Sequence, residues 1–297
     1  MINSFAFFGA LETGFIFALV ALGIFISFRI LDFPDLTVDG SFPLGAAVAA
    51  TLIIAEVSPI IATLCACFAG AGAGIVTALL NVKLKILHLL ASILTMIALY
   101  SINLRIMGGP NKALLGVETL LTPLDSLSIP YYILYPLAFG ILAFILLLLL
   151  VLFLKTELGL AMRATGSNPR MAKANGVNTQ AMIVLGMAVS NALVALAGAL
   201  FAQSQGSADV TMGVGVIVIG LASVIGGEAI FSTKNIFLWA LACVIGSLLY
   251  RLVIAFALNG ELLGLKAQDL NLITAVLVTL AIVAPNIKSA FKKANTA

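Results

Sequence analysis

The stretch "LDFPDLTVDGSFPLG", Leu31 to Gly45, sets three aspartates and a threonine between two strongly apolar runs. In a chain of 297 residues that is 62% hydrophobic and only 9% charged, carboxylates so placed need an explanation. A carboxylate at the centre of a spanning helix costs about 2.5–3.5 kcal/mol, so at mid-depth Asp35 and Asp39 require water, a partner or a proton. The apolar run that follows, "FPLGAAVAATLIIA" (Phe42 to Ala55), is too short to cross alone, because a span needs about 20 residues. Two readings stay open. Either the polar DLTVDG enters the membrane with that run, or the run is a half-helix. The plainer alternative makes it a loop whose Asp39 or Ser41 merely caps the next helix.

Working outward, composition settles the class. A mean hydropathy of +1.21 is far outside the range of soluble domains, where roughly a quarter of residues are charged. The fold class expected is an all-α polytopic membrane protein with about nine transmembrane segments, some short or interrupted. They fall near 5–28, 37–55, 59–80, 86–103, 131–154, 181–203, 210–226, 236–256 and 270–286. The first apolar run has no Lys or Arg before it, so it lacks the basic start of a cleaved signal peptide and Met1 is expected to stay. A net charge of +3 gives no reason to expect a nucleic-acid partner.

Lys and Arg set the orientation. With the amino terminus outside, the cytoplasmic side takes Arg29, Lys83, Lys85, Lys155, Arg163, Arg170, Lys173, Lys234, Lys288, Lys292 and Lys293, eleven of the 15 basic residues. The other side keeps Arg105, Lys112, Arg251 and Lys266. This positive-inside bias puts the amino terminus out and the carboxyl terminus in.

An internal match supports a repeat. "ALVALG" (Ala18 to Gly23) resembles "ALVALA" (Ala192 to Ala197), and the same offset brings "DLTV" (Asp35 to Val38) onto "DVTM" (Asp209 to Met212). In the nine-segment reading the two copies run oppositely. That divides the single transmembrane domain, 1–297, into a first repeat (1–128), a linker helix (129–154), a cytoplasmic segment (155–180) and a second, inverted repeat (181–297). Inverted repeats place a substrate path at their interface, near interrupted helices. Asp35, Thr37, Asp39, Asp209, Thr211 and Met212 are therefore the candidate lining of a translocation path.

The cytoplasmic segment, Lys155 to Gln180, contains a short helix with marked ends. Asn168 is a good N-cap, Pro169 suits the first helical position, and Gly176 suits the left-handed stop. Met171, Ala172 and Ala174 give it an apolar side, Arg170 and Lys173 a basic one. So short a helix has little stability in isolation. It packs on its own membrane domain or docks on a partner.

Here the chain resembles a known family. "GLAMRATGSNPRMAKANGVNTQAMIVLGMAVSNALVALAGALFAQ" (Gly159 to Gln203) resembles the cytoplasmic loop and following helix of ABC-transporter permeases of the branched-chain amino-acid and ribose type. "LHLLASILTMIALYSINLRIMGGPN" (Leu87 to Asn111) and "DVTMGVGVIVIGLASVIGGE" (Asp209 to Glu228) resemble its tryptophan/tyrosine-type subgroup. The resemblance implies an importer permease paired with a second copy, fed by an extracytoplasmic substrate-binding protein and driven by ABC ATP-binding subunits. It also implies the bacterial cytoplasmic (inner) membrane, and a coupling helix whose matching positions are Arg163, Asn168, Pro169, Arg170, Met171, Lys173, Asn175 and Gly176. Amino acids, aromatic ones among them, are the implied substrates, with nucleosides or sugars as alternatives. The rival class is a stand-alone secondary transporter or channel.

No chemistry of catalysis is expected. The sequence has no phosphate-binding G-x-x-x-x-G-K-[ST] loop, so no cofactor is expected on this chain and ATP would sit on a partner. Cys65, Cys67 and Cys243 lack zinc or iron–sulfur spacing and read as small hydrophobes. The single histidine, His88, reads as a polar cap on a span. Glu12 lies inside the first segment, where an acid is a functional candidate by default, with snorkelling or pairing within a dimer as the alternatives, and Glu228 reads as interfacial. Gly70 and Gly74 form a small-xxx-small pair for close helix packing. The uniform "ILAFILLLLLVLFL" of the fifth segment should face lipid.

Overall fold

A computed structural model describes residues 4–124, 130–231 and 235–259, together with Val276 and Thr279. Its elements are α1 (Ser4–Ile24), which widens into a π-helical turn at Phe25–Ile30, then α2 (Val38–Ile54), α3 (Pro59–Val82), α4 (His88–Met107) and strand β1 (Asn111–Ala113). There follow α5 (Tyr131–Lys155), α6 (Glu157–Ser167), α7 (Pro169–Ala174), α8 (Thr179–Gln205), β2 (Ser207–Asp209), a 3₁₀ turn (Val210–Gly213), α9 (Val216–Ile230) and α10 (Ile236–Asn259). Among the described residues seven helical stretches are long and apolar enough to cross a membrane, and α2 is a shorter apolar helix. Eight of the nine expected segments are thus helical. The ninth, 270–286, lies outside the described residues apart from Val276 and Thr279.

The centre is built by removing side chains. Helix α8 packs most extensively against α3 and α2. At Gly74 a Cβ would stand 2.1 Å from the Met187 carbonyl oxygen, and at Gly45 one would stand 1.9 Å from that of Ala195. Gly70 likewise abuts the Asn191 backbone, and Gly198 of α8 abuts the Phe42 carbonyl. Lipid tails supply no hydrophobic drive between helices, so backbone approach of this kind is what brings them together. A second group, α1 with α9 and α10, packs beside it around Phe17, Leu22, Phe25 and Val224.

Helix α5 lays one side on α1, burying Ala143, Leu147, Leu150 and Leu154. Its other side, including Ile141, Phe144 and Leu152, is exposed. The expectation of a lipid-facing segment therefore holds for half of its surface. A two-stranded antiparallel ribbon, with Asn111 opposite Asp209 and Ala113 opposite Ser207, closes one end of the bundle. Helices α6 and α7 sit at the opposite end, where Gly166 meets the Ile30 carbonyl.

Candidate functional site

The opening stretch turns back into the bundle. Leu31 touches Gly186 of α8, and four residues later Asp35 meets Asn191. Asn191 is the thirteenth of the 27 residues of α8, so it stands roughly 18 Å from that helix's first residue at 1.5 Å per residue. The Asp-x-Thr motif of Asp35 and Thr37 thus lies level with the middle of α8. From there α2 runs 17 residues, about 26 Å, toward the ribbon end, where Thr51 Oγ1 donates to the Ile106 carbonyl. Of the readings left open by sequence, the polar segment does enter the bundle, and α2 begins inside it.

The cost of that entry is met by hydrogen bonds. Asn191 Nδ2 donates to Asp35 Oδ2 at 2.7 Å, and Ser41 Oγ donates to Asn191 Oδ1 at 2.7 Å. The Thr37 backbone N–H donates to Asp35 Oδ1 at 2.9 Å, and the Thr37 and Thr77 hydroxyls lie 2.8 Å apart. Asp35, Thr37, Ser41, Thr77 and Asn191 are all buried. Buried polar groups survive when they are paired in this way.

The second motif has the same local geometry in a different setting. The Thr211 N–H donates to Asp209 Oδ1 at 2.7 Å, and the Thr211 hydroxyl to the same oxygen at 2.5 Å. Asp209 lies in the ribbon, where Asn111 Nδ2 reaches its Oδ2 at 3.4 Å. It is only partly buried, and Thr211 is exposed. Met212 packs between the two main apolar clusters.

Helices α2 and α9 meet through Asp39. Its Oδ1 accepts from the Ile217 N–H at 2.8 Å and its Oδ2 from the Gly215 N–H at 3.2 Å. A carboxylate on unsatisfied N–H groups at a helix start is favourable on both hydrogen-bonding and dipole grounds. Gly213 passes so close that a Cβ there would stand 2.0 Å from the Asp39 carbonyl. Helix α9 then runs the other way, and Glu228 near its end holds Arg29 with two bonds of 2.7 and 2.8 Å. Arg29 also lies 5.5 Å from the Trp239 ring centroid. So α2 and α9 start from one junction inside the bundle and leave toward opposite ends. Beside that junction, against α4, lies a cavity of about 390 Å³ lined by Asp39, Gly40, Tyr100, Ser101, Asn103 and Thr211 among others. Of the expected path residues, it brings together Asp39 and Thr211.

At the α6–α7 end the caps are as expected. Asn168 Oδ1 accepts from the Met171 N–H at 3.0 Å, Pro169 opens α7, and Gly176 takes φ +84°. Asn175 Nδ2 donates to the Met171 carbonyl at 2.9 Å. Ala172 alone is buried, while Met171 is 64% exposed beside Arg170 and Lys173. Arg163 belongs to α6, a helix the sequence reading left out, although Thr156 caps it by accepting from the Gly159 N–H at 3.3 Å.

Sequence reasoning also missed Asn191 and Thr77, and offered Ser41 only as a helix cap, whereas its hydroxyl donates to Asn191. Their signal is a polar side chain within an apolar run, which must find a partner. Glu12 pairs, accepting from the Ser204 hydroxyl. Glu228 pairs with Arg29, and His88 opens α4 with its ring against Phe33. Among the described residues no group of three His, Cys, Asp or Glu could hold a metal ion.

Comparison with known proteins fits this architecture. The family model described as "Branched-chain amino acid transport system / permease component" matches residues 6–283. The chain belongs to that permease family. It is 41% identical over 280 residues to a tyrosine transport system permease protein of Clostridioides difficile (strain R20291), covering 94% of this chain and 91% of the relative. An uncharacterised protein of Rickettsia prowazekii (strain Madrid E) is 37% identical, over 92% of this chain and 95% of its own. The ribose import permease protein of Escherichia coli (strain K12) is 25% identical, over 86% and 77%. No solved structure gives a significant match. This permease is accordingly a multi-pass membrane component of a transport system.

Proposed function

We propose that this permease is the membrane subunit of an ATP-driven importer of amino acids, aromatic ones among them. The observation that carries the reading is α7. It is a six-residue helix with a side-chain cap, a proline start and a glycine stop, presenting Met171, Arg170 and Lys173 outward. So short a helix is marginal alone, and an exposed methionine between two cations suits a partner's groove better than water. The partner is an ABC ATP-binding subunit, engaged through Arg163, Asn168, Pro169, Arg170, Met171, Lys173, Asn175 and Gly176. A second copy of the permease and an extracytoplasmic substrate-binding protein complete the assembly.

The α6–α7 end faces the cytoplasm of a bacterial inner membrane and the ribbon faces outside. Substrate passes along the junction of α2 and α9, the meeting of the two inverted repeats, near Asp39, Thr211 and Met212. Asp35 and Thr37 hold the α2 entry from within, and Asp209 holds the α9 entry from the ribbon. The amino-acid assignment is supported by the tyrosine-system relative. The ribose relative supports a second reading, a sugar substrate.

The test is uptake in vesicles carrying the permease with its ATPase and binding protein. ATP-dependent uptake of labelled L-tyrosine is the expected result. Uptake by the permease alone, without ATP, would instead establish a stand-alone transporter. Uptake of D-ribose with no amino acid would replace the substrate class.

A further inference from the structure

The end of α1 departs from regular helix, and several other elements meet there. Across Phe25–Ile30 the helix is wide: the Leu31 N–H donates to the Ile26 carbonyl at 3.0 Å and the Phe33 N–H to the Ser27 carbonyl at 2.8 Å. These bonds reach back five and six residues where an α-helix reaches back four. Such π turns are rare and occur frequently at functional sites. The sequence explains the ending. In a continuing α-helix residue 34 would donate to the Ile30 carbonyl, but Pro34 has no N–H to give. That carbonyl faces Gly166 of α6 instead, where a Cβ would stand 1.8 Å from its oxygen. Asp32 follows with φ +54°, a left-handed backbone uncommon outside glycine. It persists only where the surroundings hold it.

Those surroundings connect the two ends of the account. Met162 of α6 and Leu31 both reach Gly186 of α8, where a Cβ would stand 3.1 Å from the Met162 sulphur and 2.4 Å from Leu31 Cδ1. Arg29 is held by Glu228 at the end of α9, and Phe33 lies against His88 at the start of α4. Four residues after Leu31, Asp35 is tied to Asn191, and α2 begins at Val38. On the other side α6 leads straight into α7 at Asn168. Gly74 on Met187 and Gly45 on Ala195 join one membrane helix to another. Gly166 instead joins the α7 end to the chain that enters α2. No side chain lies between the two backbones, so a shift of α6 meets no slack. Close-packed contacts of this kind pass between discrete arrangements and do not deform smoothly. We propose that the π turn of α1, seated on Gly166, is the joint through which a partner docked on α7 moves the entry to α2. The proposal rests on the docking reading of α7 and adds the residue that hands the movement on. Gly166 acts through Ile30 and is a positioning residue.

The test separates docking from transmission. Gly166→Ala is placed in vesicles with the ATPase and binding protein, and three quantities are read: ATPase co-purification, ATP hydrolysis, and uptake of labelled L-tyrosine or D-ribose, whichever wild type carries. The added methyl pushes the Ile30 carbonyl off its seat. The ATPase should stay bound and keep hydrolysing ATP, while solute carried per ATP falls about tenfold, within the range that one residue changes a coupling between sites. Unchanged uptake per ATP in the assembled variant overturns the joint and leaves the docking of α7 standing. Loss of the bound ATPase also overturns it, because Gly166 would then belong to the dock. Should Gly166→Ala fail to assemble, Pro34→Ala decides. Pro34 is exposed, and alanine there restores the N–H that draws the Ile30 carbonyl into the helix and away from Gly166. Uptake per ATP should fall in that variant too, with the ATPase bound, and an unchanged value overturns the proposal. Failure of the docking reading shows differently, as full ATPase binding and uptake in Met171→Asp.

Discussion

Asn191 and Asp35, 156 positions apart in the chain, share a 2.7 Å hydrogen bond between Nδ2 and Oδ2 in the middle of the bundle. That contact lets a carboxylate sit where the sequence alone makes it expensive. It also fixes where α2 begins, because the same aspartate accepts the N–H of Thr37, the residue directly before the helix. Removing the Asn191 amide leaves the buried Asp35 and Ser41 side chains without their shared partner. Asn191→Leu should therefore cost about 3 kcal/mol, read as a large loss of melting temperature in detergent. Asp35→Asn, which keeps the turn and carries no charge, should cost far less. Equal losses in the two variants would contradict this account of the contact.

The close approach of α3 to α8 gives a paired prediction. At Gly74 a Cβ would strike the Met187 carbonyl, whereas at Gly72 nothing lies within 4 Å. Gly74→Ala should destabilise by about 1–3 kcal/mol, the usual cost of overpacking. Gly72→Ala should be neutral or slightly stabilising, since alanine is the better helix former. Thermal melting of the two purified variants decides between them.

The Arg29–Glu228 pair ties the π-helical end of α1 to the end of α9. Arg29 is 45% exposed and Glu228 15%, so solvent screening holds the coupling to about 0.5–1 kcal/mol. A double-mutant cycle of Arg29→Ala and Glu228→Ala should return that coupling, and it should shrink in high salt. A coupling indistinguishable from zero at low salt would mean the pair is incidental.

How much of this could be read from the chain depended on range. The caps of α7 were legible because Asn168, Pro169 and Gly176 act within one or two turns of themselves. The Gly70–Gly74 spacing was legible because small-xxx-small states that a partner must come close, although not that the partner is α8. Asn191 was not legible as the counterpart of Asp35, because nothing local marks a pairing made between two segments so far apart. Helix α6 was missed since its one signal, Thr156 ahead of Glu157, sits in a stretch read as polar loop. That Ala172 turns inward and Met171 outward was not legible, because a helix of about two turns has too few positions for periodicity to fix its rotation. The Asp-x-Thr repeat correctly marks two turns of the same local form. Their different burial depends on the ribbon pairing Asn111 with Asp209, which the sequence does not announce.

Orientation has its own check. A single cysteine at Ser167 should react with impermeant reagent only from the cytoplasm, and one at Asn111 only from outside. Labelling in the reverse sense would turn the bundle over and place α7 on the wrong side for an ATPase.

The central claim, that α7 transmits ATP hydrolysis to the path, is most directly tested by Met171→Asp and Arg170→Glu in vesicles. Both side chains point away from the bundle, so both variants should assemble in the membrane with melting temperatures near wild type. Substrate-dependent ATP hydrolysis and L-tyrosine uptake should each fall at least tenfold, together with ATPase co-purification. Full ATPase binding and undiminished uptake in both variants would contradict the account.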